Sequence, residues 1–173
     1  LDAVIAHPHA EFVMPIIETL KKCPADDTHL RQAAKIALRT CLVVTPDNFA
    51  KLIGTDEKTD LLLAEALLGA RSAGGARKLV AIVKARDLPA PMLAAAAEFV
   101  GRYGEAVDRE LLMNKYRLTP EDAERNAELL TLLFRGVQAK GAKLSTDELW
   151  YATRDGAELL RPAAEDVVGA EKG

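Results

Sequence analysis

From Thr59 to Gly104 the chain alternates apolar helical stripes with helix-breaking punctuation: helix, glycine pair, helix, proline pair, helix. Leu61, Leu62, Ala64, Leu67 and Leu68 recur at three- and four-residue steps, which places them on one side of a helix. Leu79, Val80, Ile82 and Val83 repeat the pattern after Gly74-Gly75, which reads as the permissive backbone of a tight helix–helix turn. Leu88-Pro89-Ala90-Pro91 then stops that helix, because proline disfavours helical geometry in the residue before it and suits a first helical turn. A third helix passes through Leu93, Ala96, Phe99 and Val100 to a C-cap at Gly104. Its Ala94 to Ala97 run has so little bulk that a neighbouring helix can approach closely.

Helix starts near Thr28, Thr59, Ala90 and Glu121 fall about 31 residues apart, an interval typical of solenoids built from helical hairpins. The predicted fold is therefore all-α, a right-handed α-solenoid of roughly four to five HEAT-like helical hairpins. Residues 1–161 are expected to form its single domain and 162–173 a linker or tail. An all-helical bundle with short loops is the competing arrangement, since it also spaces its helices evenly.

The chain has 173 residues, 49% of them hydrophobic, which is enough for one domain with a continuous core. Aromatic residues are scarce, as close helix packing favours. No apolar run reaches the roughly 18 residues of a membrane span. The sequence opens at Leu1 without a methionine or a signal-like segment, and we read it as a piece of something longer.

In chain order, Leu1 to Ala6 is expected to be the frayed end of a helix and His7-Pro8-His9 a turn. Two histidines flanking a proline fall short of the three or four converging ligands a metal needs. Phe12, Val13, Ile16, Ile17 and Leu20 form the apolar face of the first full helix, with Pro15 in its first turn or at a kink. Cys23-Pro24 closes it. Asp26-Asp27-Thr28 opens a second helix to about Val44, with Leu30, Ala33, Ala34, Ala37, Leu38 and Cys41 inward. Arg31, Lys35 and Arg39 line its other side at four-residue steps. Thr45-Pro46-Asp47-Asn48 starts a short helix that ends at Gly54, so Thr45 to Lys58 reads as an elaborated connection between two hairpins.

Beyond Gly104, Asp108 to Tyr116 supplies a partner helix, and Thr119-Pro120-Glu121-Asp122 starts the longest one, through Ala127, Leu130, Leu133, Phe134 and Val137 to Gly141. Ser145-Thr146-Asp147-Glu148 is a capping box that places a last helix from Thr146 to about Leu160. The two cysteines are expected to be unbridged: Cys41 lies about 20 Å along the second helix from its start, at 1.5 Å per residue, whereas Cys23 lies in the turn before it. Cys41 should be buried and Cys23 partly exposed.

Catalytic chemistry finds no footing in this pattern. Gly74-Gly75-Ala76-Arg77-Lys78 lacks the full phosphate-loop signature and the strand that precedes it. Three scattered histidines define no nucleophile and base, so no catalytic, cofactor-binding or metal-binding residue is assigned. Trp150-Tyr151 beside Asp147 and Glu148 is the one local cluster of acid and aromatic groups. Arg71, Arg77, Lys78, Lys84, Arg86, Arg102, Arg109, Lys115 and Arg117 give the middle of the chain a positive excess, the opening for a nucleic-acid-binding helical-repeat protein with a DNA-glycosylase-like scaffold. The net charge of −3 weighs against it, because phosphate-tracking domains are basic overall.

The strings DTHLRQAAKIALRT, AAEFVGRYG and LLFRGVQAKGAKLS, in this order and separation, resemble the HEAT-like helical region of large bacterial secreted proteins. In that family the region lies between a propeller domain of the membrane-bound dehydrogenase type and a c-type haem-binding domain. The resemblance covers most of Asp27 to Leu160 and rests on packing motifs. It implies an exported, periplasmic or otherwise secreted parent, itself an oxidoreductase. Haem attachment in this chain is excluded, since neither Cys23 nor Cys41 belongs to a Cys-x-x-Cys-His motif.

The reading is thus a non-catalytic interaction or spacer module whose partner is a protein or a neighbouring domain of the same chain. Its contact surface is expected on a concave face lined by Thr28 to Val44, Ala76 to Arg86, Asp108 to Tyr116 and Thr146 to Leu160. Arg31, Lys35, Arg39, Lys78, Arg109 and Arg154 are the candidate contact residues on it.

Overall fold

The computed structural model describes residues 1–44, 49–116, 123–146 and 148. Among them all regular structure is helical: α1 (Asp2–Ala6), α2 (Val13–Lys22), α3 (Thr28–Val44), α4 (Glu57–Leu68), α5 (Ala73–Ala85), α6 (Ala90–Tyr103), α7 (Ala106–Lys115) and α8 (Ala123–Lys140), with 3-10 turns at Ala10–Phe12 and Phe49–Lys51. The chain gathers into two compact units, Leu1–Leu88 and Pro89–Gly173. The helix starts expected at Thr45 to Asn48 and Thr119 to Asp122, the last helix beyond Glu148, and the 162–173 tail lie outside the described residues.

In the first unit α3 spans the expected Thr28 to Val44, and the Asp27 carboxylate accepts a hydrogen bond from the Leu30 amide at 3.0 Å to cap it. α2 returns against α3, α5 returns against α4, and α3 packs on both α4 and α5. Val13, Ile16, Ile17 and Leu20 of α2 are buried beside Ala34, Ala37, Leu38, Cys41 and Leu42 of α3 in the core of this unit. Pro15 falls in the first turn of α2, where its missing amide costs nothing. Neither cysteine is in a disulfide, and Cys41 is buried while Cys23 is half-buried, as the helix lengths require.

Two local expectations are corrected in α4 and α5. Leu62, Leu63, Ala64, Ala66 and Leu67 are all buried on α4, whereas Leu61 and Leu68 are only half-buried. One stripe was the wrong description because neighbours cover this helix on several sides. The turn into α5 is not made by Gly74-Gly75, which lie inside the helix's first turn; its left-handed residue is Arg71, at φ 45°. Ser72 then caps α5 by accepting from the Gly75 amide at 3.1 Å. Gly75 is small for a packing reason, since a Cβ there would lie 2.9 Å from that of Ala70.

In the second unit Leu93, Ala96, Ala97, Phe99 and Val100 of α6 and Ala127, Leu130, Leu133, Phe134 and Val137 of α8 are buried. The two helices meet backbone to backbone. A Cβ on Gly101 would overlap the Leu133 carbonyl oxygen and come within 3.2 Å of the Gly136 Cα; one on Gly136 would overlap the Glu98 carbonyl. The close approach anticipated for Ala94 to Ala97 thus reaches its limit one turn further along. α7 starts earlier than expected, at Ala106, where the Asp108 carboxylate accepts from the Glu105 amide at 3.0 Å.

Candidate functional site

Four of the six candidate contact residues, Arg31, Arg39, Lys78 and Arg109, satisfy the chain's own helix ends. The last carbonyls of a helix lack intrahelical partners and sit at the negative end of its dipole, so a neighbouring cation is well placed there. Arg31 Nη1 donates to the carbonyl of Cys23, the C-cap of α2, at 3.4 Å. Arg39 Nη1 donates to the carbonyl of Gly69, the C-cap of α4, at 3.2 Å. Lys78 Nζ donates to the Leu42 carbonyl in the last turn of α3. Arg109 Nη1 donates to the carbonyl of Gly104, the C-cap of α6, at 2.9 Å. Lys35 instead pairs with the Glu65 carboxylate on α4. Arg154 lies outside the described residues.

These contacts also fix helix direction. Lys35 reaches Glu65 and Arg39 reaches Gly69, each partner 30 residues further on, so α3 and α4 run parallel and in register. Lys78, near the start of α5, meets Leu42, near the end of α3, so α5 runs antiparallel to α3. At the other end Lys21 of α2 pairs with Asp56 at 3.0 Å, and Lys58 Nζ donates to the Lys21 carbonyl at 2.9 Å. By residue 56 the chain has therefore returned from the end of α3 to beside its start. It closes on Asp60, a fully buried carboxylate that accepts from the Gly54 amide at 2.9 Å and from Arg86 Nε at 2.8 Å.

The electrostatics follow from this bonding. Burial pushes the Lys78 amine below its ordinary value, the residue being 9% exposed. The Thr59 hydroxyl and amide, with the Lys21 ammonium, hold the Asp56 carboxyl well below the usual carboxylate range. Asp56 in turn raises Lys21, and Asp60 raises Arg86. Burial raises the Cys41 thiol, against a weaker lowering by its contact with the His9 backbone.

Arg109 and Glu148 form the most buried of these arrangements, 7% and 2% exposed. Arg109 Nε pairs with one Glu148 oxygen, and Nη2 donates to the other at 3.3 Å. Glu148 also accepts from the Ser145 amide at 2.7 Å, while Ser145 Oγ accepts from the Glu148 amide at 3.2 Å, which completes the capping box. Burial would push this carboxyl up, but the Arg109 guanidinium and the Ser145 amide outweigh it and hold it below the ordinary range. The cluster proposed around Trp150-Tyr151 thus has its Glu148 carboxylate bound on both oxygens, and Asp147, Trp150 and Tyr151 lie outside the described residues.

The sequence had supplied the cations without their partners. Glu65, Asp60 and the carbonyls of Cys23, Leu42, Gly69 and Gly104 were missed, although the 30-residue offset of Lys35 and Arg39 from their partners is close to the helix-start spacing and could have pointed to two of them. A gap of about 10 Å³ between Leu93, Ala97, Leu112, Leu130 and Leu133 has room for about one water, far below the roughly 300–1,000 Å³ of a ligand pocket. Among the described residues no three His, Cys, Asp or Glu side chains are grouped to hold a metal ion, and no helix is long and apolar enough to cross a membrane. Compared with known proteins, the chain matches no family model, no curated sequence and no solved structure.

Proposed function

We propose that the chain is a non-catalytic spacer and contact module of a larger exported multidomain protein, built as a right-handed HEAT-like α-solenoid. The observation that carries this reading is the parallel, in-register pairing of α3 with α4 at a 30-residue offset. Equivalent helices of successive repeats relate in this way, each covering an apolar face its neighbour cannot bury alone. On this reading 49–56, with its 3-10 turn at Phe49–Lys51, stands in for a reduced second helix of its repeat.

The contact surface is the α3 side of the first unit. Lys78 and Arg109 are buried, so a partner there would meet Arg31, Lys35 and Arg39, of which Lys35 keeps 25% of its side chain in solvent. These cations already hold the chain's own groups. Their remaining capacity suits an acidic protein surface met at the rim, where charge governs approach more than affinity.

The test is titration of the purified chain with fluorescently labelled duplex DNA and RNA at moderate salt. The expected outcome is no binding. Submicromolar affinity falling steeply with salt would replace this reading with the nucleic-acid alternative. For the exported setting, a Cys-x-x-Cys-His motif downstream in the parent's sequence is expected, and its absence would count against the electron-transfer context.

A further inference from the structure

We draw no further inference here: the strongest candidate, the exposed apolar side chains of Phe12 and Met14 around the start of α2 and of Val43 and Val44 at the end of α3, carries nothing because nothing in the structure shows what covers them.

Discussion

The α3–α4 pair of the first unit and the α6–α8 pair of the second are both parallel, and they are held together differently. α3 and α4 are linked by long side chains that cross between them, Lys35 to Glu65 and Arg39 to the Gly69 carbonyl. In α6 and α8, Leu93 and Ala97 line one gap with Leu129 and Leu133, and Gly101 meets Gly136 further along, so both helices ascend together with their backbones in contact. A stitch made by flexible side chains can be lost and replaced by water. A backbone contact has no slack, because an added methyl meets atoms that cannot rotate away.

The largest expected effect lies in the second unit, at its buried ion pair. Arg109→Ala leaves the Glu148 carboxylate desolvated without its guanidinium, and should cost about 3–5 kcal/mol in urea unfolding. The double replacement Arg109→Met with Glu148→Leu should recover much of that loss, because no uncompensated charge remains. The pair also sets a pH window. Glu148 is held below its ordinary value of 4.5, so its stabilisation is complete above about that pH and is lost as pH falls through the lower folded value. The unfolding midpoint of the wild-type chain should fall through that window, and the double variant should lose this part of the slope.

Next come the glycines of the close crossing. Gly→Ala inside a helix ordinarily gains up to about 1 kcal/mol of propensity. At Gly101 or Gly136 the new Cβ would overlap a carbonyl oxygen of the facing helix, so each substitution should instead cost about 1–3 kcal/mol or more. Hydrogen exchange should show the loss concentrated in α6 and α8. A neutral or stabilising result at both positions would mean the backbones are not in contact.

Much of this architecture was legible because it follows from local rules. Periodicity and capping residues located α3 from Thr28 to Val44, and the Ser145 to Glu148 box forms its reciprocal bonds. The four-residue spacing of Arg31, Lys35 and Arg39 showed that they share a face. Which groups they meet was not read, since those partners lie 8, 30 and 30 residues away and depend on how α3 packs; only the match of the 30-residue offset to the helix-start spacing hinted at two of them. Gly74-Gly75 was misread for a related reason. Composition marks a glycine without saying whether it serves φ, as at Gly54 with φ 78°, or proximity, as at Gly101. In the α4–α5 connection the left-handed residue is an arginine, which no glycine rule finds.

That distinction gives a smaller prediction of opposite sign. Gly74 lies in the first turn of α5, its φ is not positive, and a Cβ there would meet nothing within 4 Å. Gly74→Ala should stabilise the chain by about 0.4–1 kcal/mol through reduced freedom of the unfolded state. A destabilisation by thermal melting would restore Gly74 to the role of a turn residue.

The smallest effect should come from the stitch between α3 and α4. Lys35 and Glu65 are 25% and 44% exposed, so solvent screens their attraction and ordering two long side chains offsets part of it. A double-mutant cycle of Lys35→Ala with Glu65→Ala should give a coupling of about 0.2–1 kcal/mol. At 1 M salt the Debye length falls to about 3 Å, and this coupling should shrink toward zero. The penalty of Gly101→Ala should not change with salt, because overlap between a methyl and a carbonyl is not a charge interaction. If the Lys35–Glu65 coupling persisted undiminished at high salt, the pair would be a shielded packing contact, and the contrast drawn between a replaceable stitch and an unyielding crossing would fail.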